Sequence, residues 1–146
     1  MAEKLKTYKK KLVLPQYSTV SNEPYTVLLV VTDNVNEYVE KSFPNLSDTK
    51  QGACHVYRNY ESHIILPFDA SISTVVHECW HCVYRIMKTI GAELENEVVA
   101  YTLGWITEQA TDFLYSTPEY KKLAVEQLKK LNSKKPLTKR KTKRKV

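Results

Sequence analysis

Hydrophobic and polar positions follow two rhythms along this chain, and the change from one to the other divides it in two. Residues 25–32 (YTVLLVVT), built on the apolar run 27–31 between Pro24 and Asp33, predict a buried strand. Residues 34–43 (NVNEYVEKSF) have the spacing of a short amphipathic helix that must stop before Pro44. Two β-rich runs, 53–58 (ACHVYR) and 62–68 (SHIILPF), are separated only by Asn59, Tyr60 and Glu61, which predicts an antiparallel hairpin. Residues 10–14 can add an edge strand.

From Ile72 onward the rhythm becomes helical. Ile72, Val75, Val76, Cys79, Val83, Ile86, Met87 and Ile90 recur at helix spacing, with Asp69 or Ser71 as N-cap and Gly91 as the stop. Two more helices follow, one from about Glu93 or Asn96 to Tyr115 and one from Pro118 to Leu131, with Pro118 suited to a first turn. No internal repeat interrupts this order. Strands first and helices afterwards predict an α+β fold, a small and mostly antiparallel sheet with its helices packed on one face.

Length and composition fix the scale. A chain of 146 residues, 42% hydrophobic, supplies one core and one domain. Its longest apolar run, residues 27–31, is far too short to span a bilayer, and the lysine-rich stretch 1–12 is followed by no apolar segment that would direct export. Three cysteines, Cys54, Cys79 and Cys82, are poor material for a disulfide framework and fit a reducing cytoplasm.

The net charge of +6 changes meaning once it is divided along the chain. Residues 129–146 hold ten Lys/Arg and no acid, and residues 1–12 hold five Lys and one Glu, which leaves seven basic against fifteen acidic residues between them. The expected folded part is thus acidic, and the basic character belongs to the ends. Residues 133–146 have no hydrophobic periodicity and are expected to be a disordered basic tail. Such a tail is either a solvated appendage or a loose electrostatic contact for nucleic acid; it carries no aromatic residue on which a base could stack.

The chemistry concentrates at residues 77–81, HECWH. On a helix His77 and His81 share one face a turn apart, so both imidazoles can point at one metal ion while Glu78 stands beside them. Zinc held in this way keeps an open position for water, and the glutamate takes the proton as that water attacks a carbonyl. The alternative is a pair of packed or solvated histidines with no metal. His77, Glu78 and His81 all lie off the apolar stripe, so core face and metal face are expected to be separate. Cys79 belongs to the stripe and Cys82 lies about 100° round the helix from His81, which disfavours both as ligands. His55 and His63 read as ordinary strand residues.

A third ligand must come from another element. Glu93, Glu95 and Glu97 crowd the start of the next helix, where acidic residues are ordinary dipole chemistry. Glu97 is set apart by the stripe that follows it, Tyr101 and Glu108 with Gly104 between, a glycine suited to close helix approach.

In these motifs the chain resembles the HExxH metallopeptidases whose third zinc ligand is a glutamate on the following helix, the gluzincin-like group. In detail it is similar to small metallopeptidases of phages and mobile elements, in which VVHExxH, a helix-ending glycine and an N/D-E-x-x-A-Y-x-x-G-W run recur. Here these read VVHECWH, Gly91 and NEVVAYTLGW at residues 96–105, and the resemblance covers roughly residues 60–111. It implies a minimal zincin-like fold; the domain itself is expected over residues 15–132, preceded by a basic segment 1–14 with its possible edge strand. It implies His77, His81 and Glu97 as zinc ligands and Glu78 as catalytic base. Tyr101 is then placed to donate to the oxyanion of the attacked carbonyl, or else packs with its hydroxyl at the cleft edge.

Three functions in different classes follow. One is a zinc-dependent peptidase acting on a peptide or protein in the cytoplasm, the host's if the chain is phage-encoded, with the peptide added as a strand along the 62–68 edge. Another is a zincin-like domain that binds zinc or a protein partner without turnover. The last is a nucleic-acid-associated accessory protein whose basic tail is its working part. No membrane role is expected.

Overall fold

The computed structural model describes residues 4–18, 23–46, 52–94 and 97–134. Among these, the order is β1 (Thr7–Ser18), β2 (Pro24–Thr32), α1 (Val35–Ser42), β3 (Cys54–Arg58), β4 (Glu61–Pro67), α2 (Ile72–Ile90), α3 (Glu97–Ser116) and α4 (Pro118–Ser133). The α+β expectation holds. No helix among the described residues is long and apolar enough to cross a membrane. Most of the expected basic tail, residues 135–146, lies outside the described residues, as do Glu95 and Asn96.

The strands form one mixed sheet in the order β1-β2-β4-β3. β1 with β2 and β3 with β4 are antiparallel, while β2 and β4 run parallel with Val27 opposite Ser62 and Val30 opposite Ile65. β2 can be apolar throughout because it is covered on both faces. Tyr25, Val27, Leu29 and Val31 point into the larger core under α2 and α3, and Val30 points into a smaller core under α1. Fully burying each Val, Leu or Ile of this kind contributes roughly 1.5–3 kcal/mol.

Three expectations change here. The helices do not all share one face, because α1 covers the side opposite α2 and α3, seating Val35, Tyr38 and Phe43 with Val30, Cys54 and Ile65. β1 runs from Thr7 to Ser18, well past the expected 10–14 and across the proposed boundary at residue 14; an edge strand can keep Lys9, Lys10 and Lys11 exposed, Lys10 reaching Gln109 at 3.2 Å, while Leu12 and Leu14 are buried in the core. And 62–68 is no edge: β4 is paired on both sides, and β3 is the outer strand on that side.

The β3–β4 hairpin closes through Asn59 and Tyr60, with Asn59 at φ 52°, a left-handed conformation that asparagine tolerates better than most residues. In a hairpin of this length Arg58 and Glu61 form the hydrogen-bonded pair beside the loop, and pairs alternate from there. His55 and Tyr57 therefore turn their backbone N–H and C=O groups away from β4, toward the open edge.

Candidate metal centre on helix α2

α2 is fixed at both ends by its own sequence. The Ser71 hydroxyl accepts from the Thr74 N–H at 3.2 Å. At the other end Gly91 adopts φ 71° and the Ala92 N–H reaches back to the Met87 carbonyl at 2.9 Å, a left-handed helix stop. Between them Val75, Glu78, Cys79, Cys82, Val83, Ile86 and Met87 are buried. The buried stripe is therefore shifted from the expected one. Ile72, Val76 and Ile90 lie at its exposed margin, while Glu78 and Cys82 are inside it, so core face and metal face overlap at Glu78.

His77 and His81 are exposed and face one another, their Nε2 atoms 3.1 Å apart and their rings nearly perpendicular at 78°. Two nitrogens each 2.0–2.1 Å from a tetrahedral zinc ion would be about 3.3 Å apart, so the separation of the pair is close to that of two ligands of one ion. Glu78 is turned under them, only 7% exposed, and its carboxylate accepts a hydrogen bond from the backbone N–H of His55 on β3. Burial raises its pKa above the ordinary carboxylate value, an effect opposed by the neighbouring His77 and His81 rings and by the His55 N–H.

β3 thus forms the floor beside the motif. The His55 ring bonds Ser62 Oγ through Nε2 at 2.9 Å, and Ser62 in turn meets the Tyr25 hydroxyl at 2.7 Å. Burial, with the nearby His81, Arg85 and His63, pushes the His55 pKa down to about 4, so the ring is neutral. His63 points to the opposite side of the sheet, bonded to Glu61 at 2.8 Å and edge-on to Phe43. Cys79 and Cys82 are wholly buried, and burial raises their thiols to about 11 and about 12, the behaviour of small core residues rather than of thiolate ligands.

The structure does not bring Glu97 and Tyr101 to the histidine pair. α3 packs on the flank of α2 that carries Cys79, whose thiol lies beside the Thr107 hydroxyl without satisfying it. His81 is two residues beyond Cys79 and so about 200° round the helix, on the β3 flank. Glu97 is also ten residues before Thr107, about 15 Å along α3. Both Glu97 and Tyr101 are exposed, Tyr101 by 75%, because Val99, Thr102, Ile106, Ala110 and Leu114 are the residues α3 buries. Gly104 makes no close helix approach either, since a Cβ there would meet nothing within 4 Å. Among the described residues no three His, Cys, Asp or Glu side chains stand together in a group that could hold a metal. What the structure assembles is a two-histidine pair with a buried glutamate.

Two contributors escaped the sequence reading. His55 acts through its backbone, which only the hairpin register reveals. Arg85 lies four residues after His81, on the same side of α2, and its guanidinium stacks on the Tyr57 ring at 3.9 Å from the centroid. That i, i+4 spacing was visible in the sequence.

No family model matches the chain, and no curated protein and no solved structure matches it either.

Proposed function

We propose that this protein is a zinc-dependent peptidase whose metal is held by His77 and His81 and whose general base is Glu78. One observation carries the reading: two imidazole nitrogens stand 3.1 Å apart, near zinc-ligand spacing, beside a buried carboxylate that also meets the edge strand. Zinc bound there would polarise the scissile carbonyl and acidify the attacking water. Glu78 would receive the proton of that water and return it to the leaving nitrogen, with its bond to the His55 N–H orienting the carboxylate for both transfers. Beside it the outward-facing backbone of Tyr57 on β3 offers an extended peptide a strand to pair with. The buried free cysteines suit the cytoplasm as its place of action.

Two protein ligands are fewer than the three usual for catalytic zinc, and that favours a second reading, a zincin-like domain that binds zinc without turnover. The two separate in one assay. With zinc supplied and an unfolded polypeptide as substrate, the wild type cleaves and Glu78→Gln is slower by roughly 10²–10⁴-fold, as for loss of a general base. Zinc binding with no cleavage by the wild type selects the second reading; equal cleavage by both proteins assigns the activity to something other than Glu78.

A further inference from the structure

One turn beyond the histidine pair, α2 and the β3–β4 turn enclose a depression of about 430 Å³ lined by Asn59, Tyr60, Arg85, Lys88 and Thr89. Its character is cationic. Arg85 and Lys88 both contribute, and among the described residues neither forms an ion pair with a carboxylate. The Arg85 guanidinium carbon lies over the Tyr57 ring, 3.9 Å from its centroid, and its Nε is buried without a hydrogen-bond partner. Lys88 rests over the Tyr84 ring at 5.4 Å. Two positive charges with no carboxylate partner among the described residues, lined by the polar residues Asn59, Tyr60 and Thr89, form a receptor for an anion. The planar guanidinium, immobilised by stacking, matches a carboxylate in particular.

The position of the depression says what would bring the anion there. α2 runs alongside β3 in the same direction, since Glu78 meets His55, Arg85 meets Tyr57, and Arg85, Lys88 and Thr89 meet the turn at Asn59 and Tyr60. Arg85 lies about 6 Å and Lys88 about 10 Å along α2 from His81. An extended peptide advances about 3.3 Å per residue, so a chain lying on β3 with one bond at the histidine pair reaches the depression two to three residues away. We propose that this depression is a specificity subsite that takes a carboxylate of the bound peptide, with Arg85 as its principal anchor. The inference rests on the reading that a peptide lies along β3. The carboxylate has two sources with opposite strand directions. An antiparallel peptide would present an acidic side chain from its N-terminal side, and a parallel one could present its own C-terminal carboxylate.

Binding tests this without turnover. The full chain, freed of metal by chelator, is titrated with three N-acetylated hexapeptides of Ala and Thr while backbone amide shifts are followed by NMR. One peptide carries a glutamate and an amidated end, one a glutamine and a free C-terminal carboxylate, and one a glutamine and an amidated end. At least one carboxylate peptide is expected to shift the amides of Asn59, Tyr60, Lys88 and Thr89 and to bind about tenfold more tightly than the neutral peptide, as one charge-assisted pair would give. Whichever carboxylate peptide gains affinity identifies the source. Arg85→Gln should abolish the preference and Lys88→Gln reduce it; if the Arg85 variant loses its amide dispersion, the exposed Lys88 variant carries the test. Equal affinity for all three peptides, a preference untouched by the folded variants, or inorganic phosphate binding more tightly than either carboxylate peptide would overturn the proposal. The peptidase reading fails by a different sign, absence of zinc-dependent cleavage, which leaves these metal-free affinities as they are.

Discussion

The backbone N–H of His55 donates a hydrogen bond to the carboxylate of Glu78, tying the edge strand β3 to the motif helix α2. This bond uses an N–H that the hairpin register leaves without a partner in the sheet, and it sets a buried acid beneath two exposed imidazoles. The arrangement has consequences for stability as well as for chemistry.

Burial holds the Glu78 pKa above its ordinary value. A raised carboxylate favours folding below its unfolded pKa, and that contribution is lost as pH rises through the folded one, so at neutral pH the ionised side chain burdens the native state. Glu78→Gln removes the charge and keeps an oxygen to accept from His55. Thermal melting of the metal-free protein at pH 7 should therefore rise by a few degrees in this variant, the usual cost of a functional acid made visible. A lower melting temperature would mean that the charged form is stabilised where it sits.

The half-buried histidines of the sheet act with the opposite sign at lower pH. His55 titrates near 4 in the folded protein against 6.5 for the free side chain, and His63 is also lowered by burial. Between these values the unfolded chain binds the extra protons, so stability is complete above pH 6.5 and falls as the solution is acidified toward 4. The loss assigned to His55 is up to roughly 3 kcal/mol. Urea unfolding at pH 7 and pH 4.5 should show the decrease, and His55→Gln should make it shallower. A variant with the wild-type slope would place the titration elsewhere.

Gly91 ends α2 at φ 71°, a conformation in which any Cβ is strained although the space around it is open. Gly91→Ala should cost about 1–2 kcal/mol by denaturant unfolding with no change in the slope of the transition. A neutral outcome would show that the helix can end without the left-handed turn.

Glu97 provides a test of the packing. Because α3 lies on the Cys79 flank of α2 and Glu97 is exposed, Glu97→Ala should leave zinc affinity within about twofold, well under the change that even an outer partner of a metal ligand produces. A tenfold loss would put Glu97 on the metal, and the first turn of α3 would then have to leave the position it occupies in this structure.

The sequence made some of this legible because local patterns dominate there. Ser71, the 3.6-residue spacing after Ile72 and Gly91 determine α2 almost to the residue, and the unbroken run of β2 announced a strand covered on both faces. The long-range terms were not legible. Whether β3 or β4 forms the edge depends on the parallel pairing of β2 with β4, which nothing in either strand specifies. The apolar periodicity of α2 points through Ile72, Val76 and Ile90, whereas the buried face turns toward Glu78 and Cys82, because which flank of a helix is covered depends on the elements packed against it. Glu97, Tyr101 and Gly104 share a face of α3 as their spacing indicates, but spacing along one helix cannot tell which face meets a neighbour. Their exposure is the finding that motif reading could not supply.

The central claim is that His77 and His81 hold zinc, and calorimetric titration of the chelator-treated full chain with zinc tests it most directly. The wild type should bind one ion per chain. His81→Ala should lose at least about 100-fold in affinity, more than displacement of an outer partner costs, while Glu78→Gln keeps the wild-type affinity because its carboxylate lies beneath the ligands and is not one of them. A wild-type chain that binds no zinc, or a His81→Ala variant that binds it unchanged, would contradict the account.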